Sequence, residues 1–420
     1  MEEFDTVVVG AGQAGVAMSE HLTNLGIDHV VLERDRVAER WRSERWDSLV
    51  ANGPAWHDRF PNMKFDCDDD AFPHKERVAA YFEAYAKRFN APIRTGVEVT
   101  AVTPHRGRFV VETSEGVINA RHVVAATGPF QKPAIPPVIP VDAGPLQMHS
   151  NAYRNPGQLP DGAVLVVGGG SSGVQIADEL MKAGRKVYLS IGPHDRPPRR
   201  YRERDNVWWL GVLGKWNADS PGPGTEHVTI AVSGAEGGKT IDFRRLAHQG
   251  MTLLGMTAGY KGGVVTFADD LPTNLAAGDA NYLSVLDEAD AYIARHGLDL
   301  PEEPEARIIP DDPECVRNPI TELDLREAGI STILWATGYK FDFSWIKCDT
   351  FDALGRPLHQ RGVSREPGLY FLGLPWQTRR GSSFIWGVWH DAKFIADQIA
   401  IQRGYMSYTG TAAIRVPEEA

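Results

Sequence analysis

Two glycine-rich turns of the same spacing occur in this chain of 420 residues. The first is GAGQAG at residues 10–15, and the second is GGGSSG at residues 168–173. Each follows a β-branched apolar run, which predicts a strand, a tight turn and then a helix. In such a turn one glycine permits the bend, one lets the backbone approach a pyrophosphate, and one lets the helix pack on the strand. The sequence therefore predicts two dinucleotide-binding sites.

The first turn carries an acidic residue at the position that a ribose requires. A helix is expected over 14–25 and a second strand over 29–35, which together complete a β-α-β unit. Glu33 lies eighteen residues after Gly15, where an acidic side chain accepts hydrogen bonds from a ribose 2′-hydroxyl. The residues expected to contact the nucleotide here are Gly10, Gly12, Gln13, Ala14, Gly15, Glu33 and Arg34.

The second turn has different chemistry at the end of its second strand. Strands are expected over 163–167 and 186–190, with a helix over 174–182 between them. Ser190 stands near the position that Glu33 has in the first unit, and arginines follow it. A missing acid and a nearby arginine favour the 2′-phosphate of NADP, although a solvated basic loop is the alternative. The residues expected to contact this nucleotide are Gly168, Gly170, Ser171, Ser172, Gly173, Ser190, Arg196, Arg199 and Arg200.

Two nucleotide sites in one chain indicate a hydride relay. A nicotinamide delivers a hydride but reacts poorly with O2, whereas a flavin accepts the hydride and passes electrons on singly or in pairs. We therefore assign FAD to the first turn and NADPH to the second.

The order of the strands and helices predicts an α/β protein with two Rossmann-like dinucleotide-binding domains. The FAD-binding domain is expected in two parts, residues 1–157 and 326–420, with the NADPH-binding domain of residues 158–325 inserted between them. A further insertion is expected at about 203–275, within the NADPH domain. Its tryptophan-rich stretch, residues 207–216, is compatible with a substrate channel, a subunit contact or local core packing.

The composition is that of an ordinary globular protein, with 42% hydrophobic and 24% charged residues. A net charge of -11 argues against nonspecific binding to nucleic acid or to an anionic membrane. Three distant cysteines, Cys67, Cys315 and Cys348, form neither a disulfide framework nor a metal-binding pattern, which is typical of a reducing cytoplasm. No uncharged apolar stretch approaches the roughly 18 residues of a membrane span. We expect a cytoplasmic protein, and the sequence leaves a homodimer open.

The motifs together resemble the class B flavoprotein monooxygenases. This family includes flavin-containing monooxygenases, plant YUCCA-type enzymes, N-hydroxylases and Baeyer–Villiger enzymes. The resemblance covers nearly the whole chain. It rests on the two glycine turns, on residues 37–49, 149–156 and 333–339, and above all on the order in which these occur.

The resemblance is incomplete at the family fingerprint F-x-G-x-x-x-H-x-x-x-(W/Y). His149 and Tyr153 stand at its histidine and aromatic positions, whereas Ala143 and Pro145 replace the phenylalanine and the glycine. By the resemblance His149 is a candidate for direct chemistry, although single histidines are usually structural.

The resemblance also implies cofactor contacts outside the glycine turns. Flavin-containing monooxygenases hold an asparagine near the reactive edge of the flavin in a context of small residues, which maps onto Asn52 in LVANGPAW. A simple turn at Asn52-Gly53-Pro54 is the alternative. The other implied cofactor contacts are Arg40, Trp41, Trp46, Ser48, Val99, Thr127, Gly128, Thr337, Gly338 and Tyr339.

The function implied by the resemblance is that of an NADPH-dependent FAD monooxygenase. Reduced FAD would form a C4a-peroxyflavin with O2 and insert one oxygen atom into a small organic substrate, by N- or S-oxygenation or by Baeyer–Villiger oxidation. An NADPH oxidase or flavin reductase that releases hydrogen peroxide is an alternative, as is a nonenzymatic nucleotide-binding sensor. A disulfide reductase of the same fold is disfavoured, because neither C-x-x-C nor C-x4-C occurs.

Overall fold

The computed structural model describes residues 2–220 and 229–408. The chain divides into two compact units, one made of Met1–Glu39, Ala80–Pro129 and Phe341–Ala420, the other of Arg40–Ala79 and Phe130–Lys340. These limits differ from those of the predicted domains, since residues 40–79, 130–157 and 326–340 lie in the second unit. Compactness does not identify which nucleotide a residue binds, so the domain assignment stays a prediction.

Strands and helices alternate through most of the chain. The helices, in chain order, are α1 (Gln13–Asn24), α2 (Glu39–Ser43), α3 (Lys75–Arg88), α4 (Ser171–Lys182), α5 (Asn206–Val212), α6 (Phe243–His248), α7 (Leu271–His296), α8 (Glu314–Arg317) and α9 (Ile385–Ser407). Among the helices in the described parts of the chain, none is both long and apolar enough to cross a membrane.

The strands include several very short ones. In chain order they are β1 (Glu2–Val9), β2 (His29–Glu33), β3 (Ile93–Thr95), β4 (Val99–His105), β5 (Arg108–Thr113), β6 (Gly116–Ala125), β7 (Lys132–Pro133), β8 (Leu146–His149), β9 (Ala163–Val167), β10 (Val187–Ser190), β11 (Arg200–Tyr201), β12 (Arg204–Asp205), β13 (Thr252–Leu254), β14 (Thr257–Lys261), β15 (Val264–Phe267), β16 (Glu322–Asp324), β17 (Ile330–Trp335), β18 (Tyr339–Lys340), β19 (His359–Gln360), β20 (Val363–Ser364) and β21 (Leu369–Phe371).

The first unit is built on a sheet with strand order β19-β20-β21-β6-β1-β2-β3, to which β4 and β5 add a hairpin. The strand β1 is parallel to both of its neighbours, so that Val8 pairs with Val31 of β2 and with Val124 of β6. All three valines are fully buried. Apolar runs of this kind are expected in parallel strands, because both faces of the sheet are covered.

The second unit is built on a parallel sheet with strand order β13-β10-β9-β17-β8. Successive residues of β9 enter two different hydrophobic clusters, with Val164 and Val166 in one and Leu165 and Val167 in the other. The strand is therefore apolar throughout. The edge strand β13 comes from the stretch that the sequence marks as an insertion, so part of that stretch belongs to the sheet. Two such sheets with helices confirm the predicted α/β class.

The tryptophan-rich stretch packs locally. The helix α5 begins after Asp205, whose carboxylate accepts the N–H of Val207 at 2.9 Å. Trp209 is fully buried, and its Nε1 donates to the carbonyl oxygen of Tyr201 at 3.0 Å. Trp216 is also buried and donates to the carbonyl oxygen of Val207 at 3.2 Å. Of the three interpretations of this stretch, the structure supports local core packing.

Candidate functional site

The first glycine turn joins β1 to α1, and close packing requires two of its glycines. Gly10 has a φ of 104°, and a Cβ on it would lie 2.9 Å from the carbonyl oxygen of Ala126. A Cβ on Gly15 would lie 1.8 Å from the carbonyl oxygen of Gly10. Gly12 has an ordinary φ of -78°, and a Cβ there would meet no atom within 4 Å. The N-terminus of α1, where buried Ala14 also lies, therefore opens onto space that suits an anion.

Glu33 holds this turn from the end of β2. Its Oε2 accepts the N–H of Ala11 at 2.8 Å, and its Oε1 accepts the N–H of Asp35 at 3.0 Å. A carboxylate offers about four lone-pair positions, so Glu33 keeps the capacity to accept a ribose hydroxyl. The sequence does not predict the bond to the turn. The neighbouring Arg34 is exposed and pairs with Asp35 at 3.2 Å.

The other predicted contacts of the first unit lie at the ends of its elements. Gln13 begins α1, and its Nε2 donates to the carbonyl oxygen of Ser383 at 2.9 Å. Thr127 and Gly128 come one residue after the end of β6. This strand is the parallel neighbour of β1, so the two residues lie at the same edge of the sheet as the first glycine turn. Val99 is half-buried at the start of β4.

The second glycine turn, between β9 and α4, repeats the backbone geometry of the first. Gly168 has a φ of 117°, and a Cβ on it would lie 2.5 Å from the carbonyl oxygen of Ala336. A Cβ on Gly173 would lie 1.8 Å from the carbonyl oxygen of Gly168. This distance equals the corresponding one in the first turn. The two turns therefore impose the same close approach of helix to strand.

The two turns differ at their middle glycine, because a segment of the chain lies over the second one. We name residues 229–232 the covering segment. A Cβ on Gly170 would lie 3.3 Å from Cγ2 of Thr229. The N–H and the hydroxyl of Ser171 both donate to the carbonyl oxygen of Ile230, at 2.8 and 2.7 Å. An N–H group that a phosphate would use at this helix end is thus already bonded.

The covering segment is also tied to the chain that follows β10. The N–H of Asp195 donates to the carbonyl oxygen of Thr229 at 2.8 Å, and the N–H of Ala231 donates back to Asp195 at 2.8 Å. The N–H of Val232 reaches the hydroxyl oxygen of Ser171 at 3.3 Å. Ser172, the next residue of α4, is half-buried. The covering segment is therefore bonded on both sides.

Ser190 ends β10 without offering a group to a ribose. It is buried, its hydroxyl donates to the carbonyl oxygen of Gly255 at 2.8 Å, and it accepts the N–H of Thr257 at 3.0 Å. Arg200 is exposed and forms no ion pair with any residue that the structure describes. Of the three arginines predicted to bind the phosphate, Arg200 is the one whose charge is not paired with a carboxylate among the described residues.

Two of the predicted arginines bond different buried carboxylates. The Nε and Nη2 of Arg196 donate to one oxygen of Asp279, at 3.0 and 2.7 Å, while Arg244 donates to the other oxygen at 2.6 Å. Arg199 makes a two-pronged contact with Asp205. Both predicted arginines are only 3% exposed. The structure therefore gives each of them a partner within the protein.

The flavin contacts implied at residues 40–48 lie in the second unit and have protein partners there. Trp46 is buried in the hydrophobic core, and Trp41 packs partly against the same cluster. The Nη1 of Arg40 lies 3.7 Å from the carboxylate of Glu44, one helical turn away. The two indole rings thus fix this segment to the second unit.

Two polar residues that the sequence does not single out hold the same segment. Glu179 of α4 accepts the hydroxyl of Ser48 and, at 2.6 Å, the hydroxyl of fully buried Tyr153. The buried ammonium group of Lys75 donates to the carbonyl oxygens of Arg42 and Arg45, at 3.1 and 3.2 Å. Both residues act on the position of the segment rather than presenting a free group.

Asn52 is exposed, yet it is bonded on two sides. Its Oδ1 accepts Nε2 of Gln175 at 3.0 Å, and its carbonyl oxygen accepts Nη1 of Arg199. A Cβ on the next residue, Gly53, would lie 2.3 Å from the carboxylate of Asp58. The chain bends at Asn52-Gly53, and side chains from distant parts of the second unit determine the position of this bend.

His149 has both ring nitrogens bonded. Its Nε2 donates to the carbonyl oxygen of Gly338 at 2.9 Å, and its Nδ1 accepts the N–H of Asn151 at 3.2 Å. Burial lowers the pKa of His149, which favours a neutral ring. The ring packs edge-on against Tyr339, and the hydroxyl of Thr337 donates to the main chain directly after β7. These contacts join the end of β8 to residues 337–339.

Signals for part of this network are present in the sequence. Gln175 and Glu179 are polar residues one turn apart on α4, and such pairs share one helix face. Asp205 directly precedes α5, which is the position of a helix N-cap. The covering segment has no such local signal, because Ile230 and its partner Ser171 are 59 positions apart.

Comparisons with known proteins find similarity along the whole chain. A family model described as pyridine nucleotide-disulphide oxidoreductase matches residues 7–207. A Geobacillus kaustophilus (strain HTA426) protein named uncharacterized oxidoreductase CzcO-like is 33% identical over 399 residues, which are 94% of this chain and 98% of the other. The probable indole-3-pyruvate monooxygenase YUCCA4 of Arabidopsis thaliana is 27% identical over 97% of this chain and 92% of its own.

A solved structure has the same fold. The flavin-containing monooxygenase from Stenotrophomonas maltophilia matches with a TM-score of 0.68 at 18% identity, over 96% of this chain and 100% of that chain. The similarity at this level of identity concerns the fold, and it extends across both compact units.

Removing Asp279 tests whether the arginines around it are structural. The substitution Asp279→Ala leaves Arg196 and Arg244 buried without this carboxylate, so we expect the free energy of unfolding to fall by about 3–5 kcal/mol. Denaturant unfolding followed by circular dichroism measures it. The matched control is Asp312→Ala, which removes the half-exposed second partner of Arg244 and should cost less than about 1 kcal/mol. Equal losses in the two variants would contradict the assignment.

Proposed function

This chain belongs to the class B flavoprotein monooxygenases, a family of oxidoreductases, and from that premise we propose that it is an NADPH-dependent FAD monooxygenase. It would transfer one oxygen atom of O2 to a small organic substrate. The observation that carries the proposal is the pair of glycine turns with one backbone geometry, because a flavin and a pyridine nucleotide each require such a turn.

The first turn fits the pyrophosphate of FAD without rearrangement. The space in front of Gly12 is open, and α1 is a helix of 12 residues whose first N–H groups have no partner within the helix. Partial positive charge at that end favours an anion. Glu33 stands beside the turn with lone pairs left for a ribose hydroxyl. We therefore assign Gly10 to Gly15 and Glu33 to FAD.

When bound, FAD supplies the chemistry that connects a hydride from NADPH to O2. The chain must hold the flavin, exclude water and offer hydrogen bonds without a charge that titrates. The amide of Asn52 meets the last requirement, because it donates and accepts without ionising. On the family resemblance we assign Asn52 to the reactive side of the flavin. We assign His149 to holding the end of β8, since both of its ring nitrogens are bonded.

The second turn fits the pyrophosphate of NADPH only once the covering segment has moved. Gly168 and Gly173 provide the required backbone geometry, but Thr229 lies next to Gly170 and Ile230 takes the N–H of Ser171. We infer that binding of NADPH displaces residues 229–232. Arg200, whose charge is unpaired among the described residues, is the strongest remaining candidate for the 2′-phosphate.

The proposed reaction is tested by measuring how much of the NADPH consumed yields oxygenated product and how much yields hydrogen peroxide. Oxygenation of nitrogen or sulfur and Baeyer–Villiger oxidation both fit this set of residues, so purified yellow protein is given NADPH, O2 and a panel of amines, sulfides and ketones. We expect one compound to gain one oxygen atom by mass spectrometry, with NADPH consumption matching product. Hydrogen peroxide equal to NADPH with every compound would instead indicate an NADPH oxidase.

The open space at the first turn predicts the effect of a side chain there. In Gly12→Val the new side chain meets no protein atom at Cβ, so the fold should persist while the pyrophosphate is blocked. We expect purified protein without flavin absorbance and with unchanged far-ultraviolet circular dichroism. Gly404→Val is the matched control, since a Cβ there is also unopposed and lies near the end of α9. A Gly12→Val protein that keeps stoichiometric flavin would refute the assignment.

The covering segment predicts an unusual response to nucleotide. Binding of NADP+ should free the main-chain amides of Asp195, Ala231 and Val232, so their hydrogen exchange should accelerate by about tenfold, as expected when a hydrogen bond is lost. Exchange mass spectrometry with and without NADP+ measures this. The β15–β16 pair, which contains none of the predicted cofactor contacts, serves as an internal reference that should not change. Slower exchange across 229–232 on binding would show that the segment stays in place.

A further inference from the structure

Arg199 is held in one orientation by buried partners. Its Nε donates to Oδ2 of Asp205 at 3.0 Å, and its Nη2 donates to Oδ1 of the same carboxylate. Asp205 is itself fixed, because it caps α5 by accepting the N–H of Val207. The main chain of Arg199 is bonded as well, since its N–H donates to Oγ1 of Thr240 at 2.9 Å. A two-pronged pair of this kind fixes the plane of the guanidinium group.

The remaining nitrogen of this guanidinium group, Nη1, faces the main chain of Asn52. Nη1 of Arg199 donates to the carbonyl oxygen of Asn52. The ring of Phe72 lies under the guanidinium group, with its centre 4.8 Å from Cζ. Phe72 in turn packs on Gly238, where a Cβ would lie 2.7 Å from the ring. Arg199 is thus clamped between a carboxylate, an aromatic ring and the residue that the resemblance places beside the flavin.

A second hydrogen-bond chain determines which way the side-chain amide of Asn52 faces. The carbonyl oxygen of Val232 accepts Nε2 of Gln175 at 2.7 Å, and a carbonyl oxygen can only accept. Nε2 of Gln175 must therefore be the donor to Asn52, so the atom of Asn52 that faces it is Oδ1. Nδ2 of Asn52 forms no hydrogen bond with any described residue. The amide consequently presents a hydrogen-bond donor outward.

We propose that Arg199 and Gln175 are positioning residues that hold Asn52 with its Nδ2 donor turned outward, in the role toward the flavin that the family resemblance gives it, and that Arg199 is not a ligand of the 2′-phosphate. The part that concerns the flavin rests on the proposed function. Arg199 fixes the main chain and Gln175 fixes the side chain, so the two act on one residue through independent bonds. Binding a phosphate would require Arg199 to leave a carboxylate with which it is almost fully buried.

Two substitutions separate positioning from phosphate binding. Arg199→Lys keeps a positive charge beside Asp205 but loses the planar donor to Asn52. Gln175→Leu removes the side-chain bond while preserving volume and introducing no buried charge. In flavin-loaded protein, each should raise hydrogen exchange of the amides of Ala51 and Ala55, which donate to the carbonyl oxygens of Pro73 and Ala71, by about tenfold, because losing a bond that anchors Asn52 lets residues 51–55 open more often. Arg200→Lys, at the exposed neighbouring arginine, is the matched control and should leave that exchange unchanged.

Steady-state kinetics provide the second readout. Each positioning variant should raise the fraction of NADPH electrons released as hydrogen peroxide by about twofold or more, because a misplaced group loses its effect steeply with distance. The ratio of KM for NADPH to KM for NADH should stay as in the wild type. A rise in that ratio of about tenfold in Arg199→Lys, with unchanged exchange at 51–55, would overturn the proposal and make Arg199 a phosphate ligand.

Hydrogen exchange at residues 51–55 tests the positioning role, and release of hydrogen peroxide by the wild-type protein tests the proposed function. If wild-type protein releases peroxide equal to NADPH with every compound tested, the monooxygenase assignment fails. Exchange at residues 51–55 would still decide whether Arg199 and Gln175 hold Asn52. Unchanged exchange in both variants would overturn the positioning role, whatever the reaction proves to be.

Discussion

Each nucleotide turn depends on a helix resting directly on the backbone of the turn that precedes it. At Gly15 and at Gly173 a single Cβ would lie 1.8 Å from a carbonyl oxygen of the same turn, so any side chain would push α1 or α4 away from its strand. That contact brings the first N–H groups of each helix to the carboxyl edge of its sheet, where a phosphate can reach them. The other contacts at the two turns all depend on this close approach of helix to turn, which only a residue without a side chain permits.

The two turns share this backbone geometry but differ in the groups that lie next to it. At the first turn Glu33 braces the loop and the space before Gly12 is open. At the second turn buried Ser190 stands in place of the bracing acid, and the carbonyl oxygen of Ile230 accepts the N–H and the hydroxyl of Ser171 at the N-terminus of α4. A carbonyl oxygen carries partial negative charge, so it suits the helix end without the desolvation that a full charge would need.

The backbone of the turns could be predicted from the sequence because glycine spacing and apolar runs are local signals. The fold class and the two β-α-β units follow from such patterns, whereas the sequence left the packing of the tryptophan-rich stretch open. The partners of Arg196 and Arg199 do not, since a basic residue in the sequence carries no sign of whether a carboxylate will be buried beside it. Asp279 lies 83 positions from Arg196. Sequence position suggested a phosphate ligand there, whereas burial at 3% exposure demands a permanent counter-charge.

For the same reason the sequence indicates Asn52 as a candidate residue but not the distant residues that hold it in position. An Asn-Gly pair marks a turn, but the bonds that orient it come from residues 123 and 147 positions later. One of these, Gln175, also bonds Val232 of the covering segment. Nε2 of Gln175 therefore donates one hydrogen to Asn52 and the other to Val232. Loss of the bond to Val232 would leave the side-chain amide of Gln175 free to rotate. Movement of the segment over the second glycine turn and the orientation of Asn52 are therefore joined through one side chain, because both depend on the same donor atom.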